Sequence, residues 1–325
     1  MGHRHPIAVL ALSLVLGALQ SGCAADGLYR QDDASASVET RDFMLNDELH
    51  PRDVPLRVHV PVGLAGPLPL VVYSHGSGCG PANYDRITRH WAEMGYVVVA
   101  PTHIDGMENA PVPTPDEYPA LLSRRIRDPS FVLDALDRIE AELDAPGLID
   151  RERMAIGGHS YGGMITMIKV GMPLRPGSYT LPGETADPRF RVAVVMSGVG
   201  QMPVFTDDAF DALTGPVMAT GGTLDVGNIG TGEIFPWEWR VAAYNLAPPG
   251  DKYRVVLDDG DHYLGGLICR ADRGGPDDPA GVAILQATTT AFLDAYVLDE
   301  AAAGDYLETL DLAALTGDRA TLARK

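Results

Sequence analysis

Gly158-His159-Ser160-Tyr161-Gly162 brings a serine between glycines at a point where the chain turns from an apolar run into a helical pattern. Met154-Ala155-Ile156 reads as a short strand and Tyr161 to Val170 as the helix that follows it. A serine on such a tight turn is forced into an unfavourable backbone conformation, and its neighbours must lack side chains for strand and helix to pass closely. The helix N-terminus adds free N–H groups and a positive dipole end beside Ser160. That is the layout of a nucleophile elbow, and the chemistry it suits is acyl transfer.

A serine hydroxyl is a weak nucleophile without a base. His262 is the only histidine downstream of Ser160, in Asp259-Gly260-Asp261-His262-Tyr263, directly after the β-type run Tyr253 to Leu257. The orienting acid is expected one strand earlier. Pro216 to Ala219 reads as that strand, and Asp225 follows in Gly221-Gly222-Thr223-Leu224-Asp225. Asp207 and Asp208 compete from the preceding loop, while Asp258, Asp259 and Asp261 stand too close to His262 and suit turns better. The oxyanion that develops in acyl transfer needs amide donors. The N–H of Tyr161 is one candidate. The N–H of Ser77 is the other, in Ser74-His75-Gly76-Ser77-Gly78-Cys79-Gly80 after the β-type run Leu70 to Tyr73. His75 reads as a prop for that loop.

These residues need a scaffold. Further strands are expected at Arg57 to Val60, Tyr96 to Ala100 and Val192 to Met196, and helices at Tyr84 to Met94, Phe131 to Leu143, Trp237 to Leu246 and Ala280 to Leu298. Strands separated by helices imply parallel pairing through right-handed crossovers, hence an α/β fold: a doubly wound, mostly parallel sheet with helices on both faces. Sites in such sheets form at the carboxyl ends of the strands, which is where the motifs fall.

His75-Gly76-Ser77-Gly78, Gly158-His159-Ser160-Tyr161-Gly162-Gly163, Asp225 and His262, in that order, resemble the α/β-hydrolase superfamily. The likeness is greatest to its platelet-activating-factor acetylhydrolase-like and dienelactone-hydrolase-like branch, with cutinase-like polyester hydrolases nearby, and it spans roughly residues 45 to 300. It implies a Ser-His-Asp esterase that needs no cofactor. Dienelactone hydrolases carry Cys at the elbow where Ser160 stands, and polyester hydrolases usually carry an aromatic residue where Ser77 stands. The expected activity is cleavage of small or polymeric carboxylic esters. Amide or thioester cleavage uses the same machinery, and a non-catalytic binding module on a hydrolase scaffold is the reading from another class.

The N-terminus carries a different message. His3, Arg4 and His5 precede an apolar run from Ile7 to Leu19, too short for a membrane span of about 20 residues but suited to a signal-peptide core. It ends in Leu19-Gln20-Ser21-Gly22-Cys23, which resembles a bacterial lipobox with Gln20 in place of the usual Leu. The expected organisation is therefore a signal peptide at residues 1–22, a lipidated tether at 23–40 beginning with Cys23, and a catalytic domain at 41–325. The protein would be exported and held to a membrane only through its lipid, facing the periplasm or the cell exterior.

Cys79 and Cys269 remain, in loops expected at one edge of the sheet. A disulfide bracing the site and two unpaired thiols are both open in an oxidising compartment. With 25 Lys and Arg against 44 Asp and Glu, the formal charge of −19 argues against nucleic acid as a partner and disfavours anionic polymers as substrates. No His/Cys/Glu cluster has metal-ligand spacing, and no glycine fingerprint opens a helix for a dinucleotide. Trp237 and Trp239 could line a pocket or pack as ordinary helix residues. The Pro- and Gly-rich stretch from Pro173 to Pro188 could overhang the site or be a surface excursion.

Overall fold

In the computed structural model the described residues are Met1, 27–30, 35–106, 114–180, 185–228 and 232–325. Residues 2–26, which hold almost all of the expected signal segment and Cys23, lie outside them, as do the middle of the Pro173–Pro188 stretch and part of the glycine-rich run after Asp225.

The strands are β1 (Ser37–Asp47), β2 (Arg52–Val62), β3 (Leu68–Ser74), β4 (Val97–Pro101), β5 (Ile149–His159), β6 (Val192–Met196), β7 (Val217–Gly222), the short pair β8 (Gly227–Asn228) and β9 (Ile234–Phe235), β10 (Lys252–Leu257) and β11 (Ala320–Arg324). The main sheet has nine strands in the order β1-β2-β4-β3-β5-β6-β7-β10-β11. From β4 to β10 every pairing is parallel, and the antiparallel strands β1, β2 and β11 sit at the two edges.

The helices are α1 (Asp85–Glu93), α2 (Tyr118–Asp134), α3 (Leu136–Glu142), α4 (Tyr161–Lys169), α5 (Ala242–Asn245), α6 (Pro279–Val297), α7 (Ala301–Thr309) and α8 (Leu312–Thr316). They cover the sheet on both sides, as alternation along the strands requires. Val71 and Tyr73 of β3 pack with Ile87 and Trp91 of α1 and with Phe292 of α6. Leu70 and Val72 face the other way, toward Phe131 and Val132 of α2 and Ile139 of α3. Strands β3, β4, β6 and β7 are buried along their whole length, which is why they read as continuous apolar runs rather than alternating ones. No helix among the described residues is long and apolar enough to cross a membrane.

Several expectations are corrected. The boundary expected at residue 40 falls inside β1, whose alternating, edge-exposed residues carry only a weak strand signal. Part of the expected tether also belongs to the fold. Leu28 is buried, and Tyr29 and Arg30 bond to the buried Asp294 of α6 at 3.0 and 3.1 Å. The helix expected from Phe131 begins at Tyr118, contains Pro129 and breaks at Ala135 before α3. The segment expected to be one helix from Trp237 divides into a 3-10 turn, Trp237–Val241, and α5.

Candidate active site

Ser160 sits between the end of β5 and the start of α4 with φ 55° and ψ −116°, a conformation L-residues avoid. Its amide donates to the Met196 carbonyl on β6 at 2.9 Å, and its carbonyl accepts from the Met164 amide at 3.1 Å, so the neighbouring strand β6 and the helix α4 hold the strained turn. A Cβ at Gly158 would collide with the carbonyl of Gly162, and one at Gly162 with the carbonyl of Ser74. The glycines are therefore required by the close passage of α4 over β3 and β5.

Three strand ends deliver the polar groups. The loop after β10 brings His262 Nε2 to 3.0 Å from Ser160 Oγ. The loop after β7 brings Asp225 Oδ1 to 2.8 Å from His262 Nδ1. The two loops are stitched together through Thr223 N–H to Leu257 O at 2.9 Å and Leu224 N–H to Gly260 O at 3.0 Å. His262 remains 16 % accessible while the Asp225 side chain is sealed off. Burial alone would push the Asp225 carboxyl up, but His262 and the Arg240 guanidinium, whose Nε donates to Oδ1 at 3.0 Å, hold it below its ordinary value. An ionised carboxylate there fixes the imidazole with its proton on Nδ1 and leaves Nε2 to accept from the serine.

The other acids take different parts. Asp207 is exposed and pairs with Arg175. Asp258 accepts from Thr223 at 3.3 Å. Asp261 accepts the amides of Tyr263, Gly265 and Gly275 at 2.7, 3.1 and 2.7 Å, and so shapes the histidine loop.

The loop after β3 lies across the elbow. Ser77 is exposed, and its hydroxyl donates to Asp105 at 3.4 Å. His75 is fully buried: Nδ1 donates to Gly76 O at 2.8 Å, and Nε2 accepts the His103 amide at 2.9 Å. Cys79 and Cys269 form a disulfide with Cα atoms 5.4 Å apart, joining this loop to the chain just beyond His262. A cross-link closing so long a loop typically contributes about 2–4 kcal/mol to stability. Trp239 stacks on Phe235 at 5.1 Å between ring centres and lies against Gly200 and Gly227, beside the acid loop. The described parts of the Pro173–Pro188 stretch are fastened to α2 through the Thr180 amide and Ser123 Oγ at 2.7 Å, and to Val204 through the Arg175 amide at 2.8 Å.

Some contributors carried little signal in the sequence. His159 links the loops: Tyr84 O–H donates to its Nδ1 at 2.9 Å, and its Nε2–H donates to the His262 carbonyl at 2.9 Å. Arg240 sits in a short 3-10 turn without periodicity. Arg125 is fully buried among Leu121, Leu122 and Ile126 of α2, and a charge inside an apolar stripe was its one sign.

No protein-family model matches the chain, and no curated protein sequence does. Solved structures do match. One is a ferulic acid esterase from Streptomyces cinnamoneus, 18 % identical with a TM-score of 0.59, the match covering 90 % of this chain and 97 % of that one. Another is a protein assigned as a dienelactone hydrolase from Klebsiella pneumoniae subsp. pneumoniae, 18 % identical with a TM-score of 0.54, covering 80 % of this chain and all of that one. The chain has the α/β-hydrolase fold. At such identity the likeness speaks to the fold, and chemistry has to be argued from the site.

Proposed function

We propose that this α/β-hydrolase-fold protein is a serine hydrolase that cleaves carboxylic esters through an acyl-enzyme intermediate. The observation that carries the reading is the chain of contacts from Ser160 through His262 to Asp225, mounted on a strained serine. In the first half-reaction His262 Nε2 takes the proton of Ser160 as Oγ attacks the ester carbonyl. The amides of Tyr161 and Ser77 receive the developing oxyanion, and His262 then protonates the leaving alcohol. Water repeats the sequence on the acyl-enzyme, the proton passing again through His262. The buried carboxylate of Asp225 stabilises the imidazolium formed in each half-reaction. The names of the two similar solved structures, an esterase and a dienelactone hydrolase, are in keeping with ester cleavage. The export signal and lipidation at Cys23 belong to the same proposal: an enzyme tethered outside the cytoplasm with its site in an oxidising compartment, where the Cys79–Cys269 bond would persist.

Ser160→Ala is expected to lower kcat on p-nitrophenyl acetate by about 10^4-fold or more with an unchanged melting temperature. A fluorophosphonate probe is expected to label the wild type at Ser160 and leave the variant unlabelled. Wild-type turnover in the variant would end the proposal.

A further inference from the structure

We propose that Arg125 is a positioning residue for the oxyanion hole, aligning both of its arms from behind; the inference rests on the serine-hydrolase reading above. The guanidinium is fully buried. Its Nη1 donates to the His75 carbonyl at 2.8 Å and its Nη2 to the Gly76 carbonyl at 3.2 Å. Its Nε and Nη2 grip the two oxygens of Asp105 at 2.7 Å each. Its plane carbon lies 4.4 Å from the centre of the Tyr161 ring. One planar cation thus touches the residue after the nucleophile and the two carbonyls that precede Ser77.

The geometry explains why this matters. In a trans peptide the C=O and the following N–H point in opposite directions. The Gly76 carbonyl is held by Arg125 Nη2, by His75 Nδ1 at 2.8 Å and by the Cys79 amide at 3.3 Å, so the Ser77 N–H is fixed on the opposite side. The Gly76 amide is meanwhile occupied by Tyr84 Oη at 3.0 Å, so it does not compete with the Ser77 amide as a donor to the site. On the other arm, the Tyr161 ring is clamped by the same guanidinium, limiting how far the first turn of α4 can move. A lysine would keep the charge opposite Asp105 but has no rigid fork to span two carbonyls and a carboxylate together. A purely structural role, fastening α2 to the turn after β4, would be served by the ion pair with Asp105 alone.

Arg125→Lys and, independently, the isosteric Asp105→Asn are compared with wild type, each rate expressed per site titrated to completion by fluorophosphonate. Positioning predicts that kcat per titrated site falls about 10- to 100-fold in Arg125→Lys while KM stays within about three-fold. It also predicts that affinity for a trifluoromethyl ketone, which forms a tetrahedral oxyanion on the serine, falls by the same factor. Asp105→Asn should show the same pair of changes at smaller amplitude, and it is the deciding variant if Arg125→Lys does not fold. Wild-type kcat per titrated site, or a lost rate with unchanged ketone affinity, would overturn the inference. Failure of the underlying reading looks different: the wild type would not be labelled at Ser160 at all.

Discussion

The two loops that flank Ser160 are built on opposite principles. The loop after β3 is bolted from behind by buried polar groups: Arg125 on its carbonyls, His75 within it, and the disulfide at its end. Deeper still, Ser74 Oγ, His103 and Asp128 form a sealed chain at 2.7 Å per contact, with Arg52 closing it at 2.5 Å. The loop after β7 is held mainly through its backbone, by the Thr223 and Leu224 amides on Leu257 and Gly260, and has one buried charged anchor, Asp225, gripped by His262 and Arg240. Around that point it presents Leu224, Val226 and, on β9, Ile234 to solvent, 58, 52 and 69 % exposed. Under the proposed acyl transfer the contrast would suit two tasks. Oxyanion donors must be in place before charge develops, so rigidity there lowers the barrier. The surface that meets the variable part of a substrate gains from apolar area and little from rigidity.

The comparison can be broken first at Asp225. Asp225→Asn is expected to cut kcat by about 10^3- to 10^4-fold, because an amide there favours the wrong imidazole tautomer and leaves Arg240 without its charge partner. Activity within ten-fold of wild type would mean that the loop after β7 contributes surface alone.

Acid should sharpen the contrast next. Burial holds His75, His103 and His159 well below the ordinary histidine value, with the neighbouring His103, Arg125 and His262 respectively adding to the effect. In the unfolded chain each would protonate near pH 6.5, so below that pH the unfolded state binds more protons and stability is lost as pH falls. Each neutral histidine contributes up to about 1.4 kcal/mol per pH unit below that point. Burial raises Asp128 to about 6, so its uptake of a proton in the folded state offsets part of the loss. The melting temperature is expected to drop between pH 7 and pH 5, with amide exchange rising in residues 75–80 before residues 223–226. A flat melting temperature, or the reverse order of exchange, would contradict the assignment of rigidity to the β3 side.

The smallest effect is expected at the apolar rim. Replacing Leu224, Val226 and Ile234 together by Ser should raise KM for esters with long or aromatic acyl groups by up to about ten-fold, at about 0.5 kcal/mol for each partly covered side chain. kcat for acetate esters and the melting temperature should stay unchanged. Equal KM values across an acyl-length series in wild type and variant would remove the rim from substrate recognition.

How far the residues themselves announced these features follows from how local each signal is. The elbow was legible because its glycines, its serine and the strand–helix switch lie within one short stretch of chain. His262 and Asp225 were legible because a parallel sheet returns successive strand ends to one edge, so chain order maps onto position. The buried strands declared themselves as apolar runs, whereas β1 and β11, exposed edges with mixed composition, did not. α7 and α8, packed after the last crossover, escaped as well.

What the sequence determined by itself, then, was the fold class and the strand ends from which a nucleophile, a base and an acid could meet. Tertiary structure alone decided which carboxylate faces His262, that Cys79 and Cys269 stand within bonding reach, and that Arg125 lies beneath the loop carrying Ser77. The physical reason is range. Turn strain, periodicity and capping act over a few residues and leave a pattern in the chain. A guanidinium bridging carbonyls fifty and forty-nine residues away acts through space, and nothing in the local order of residues records it.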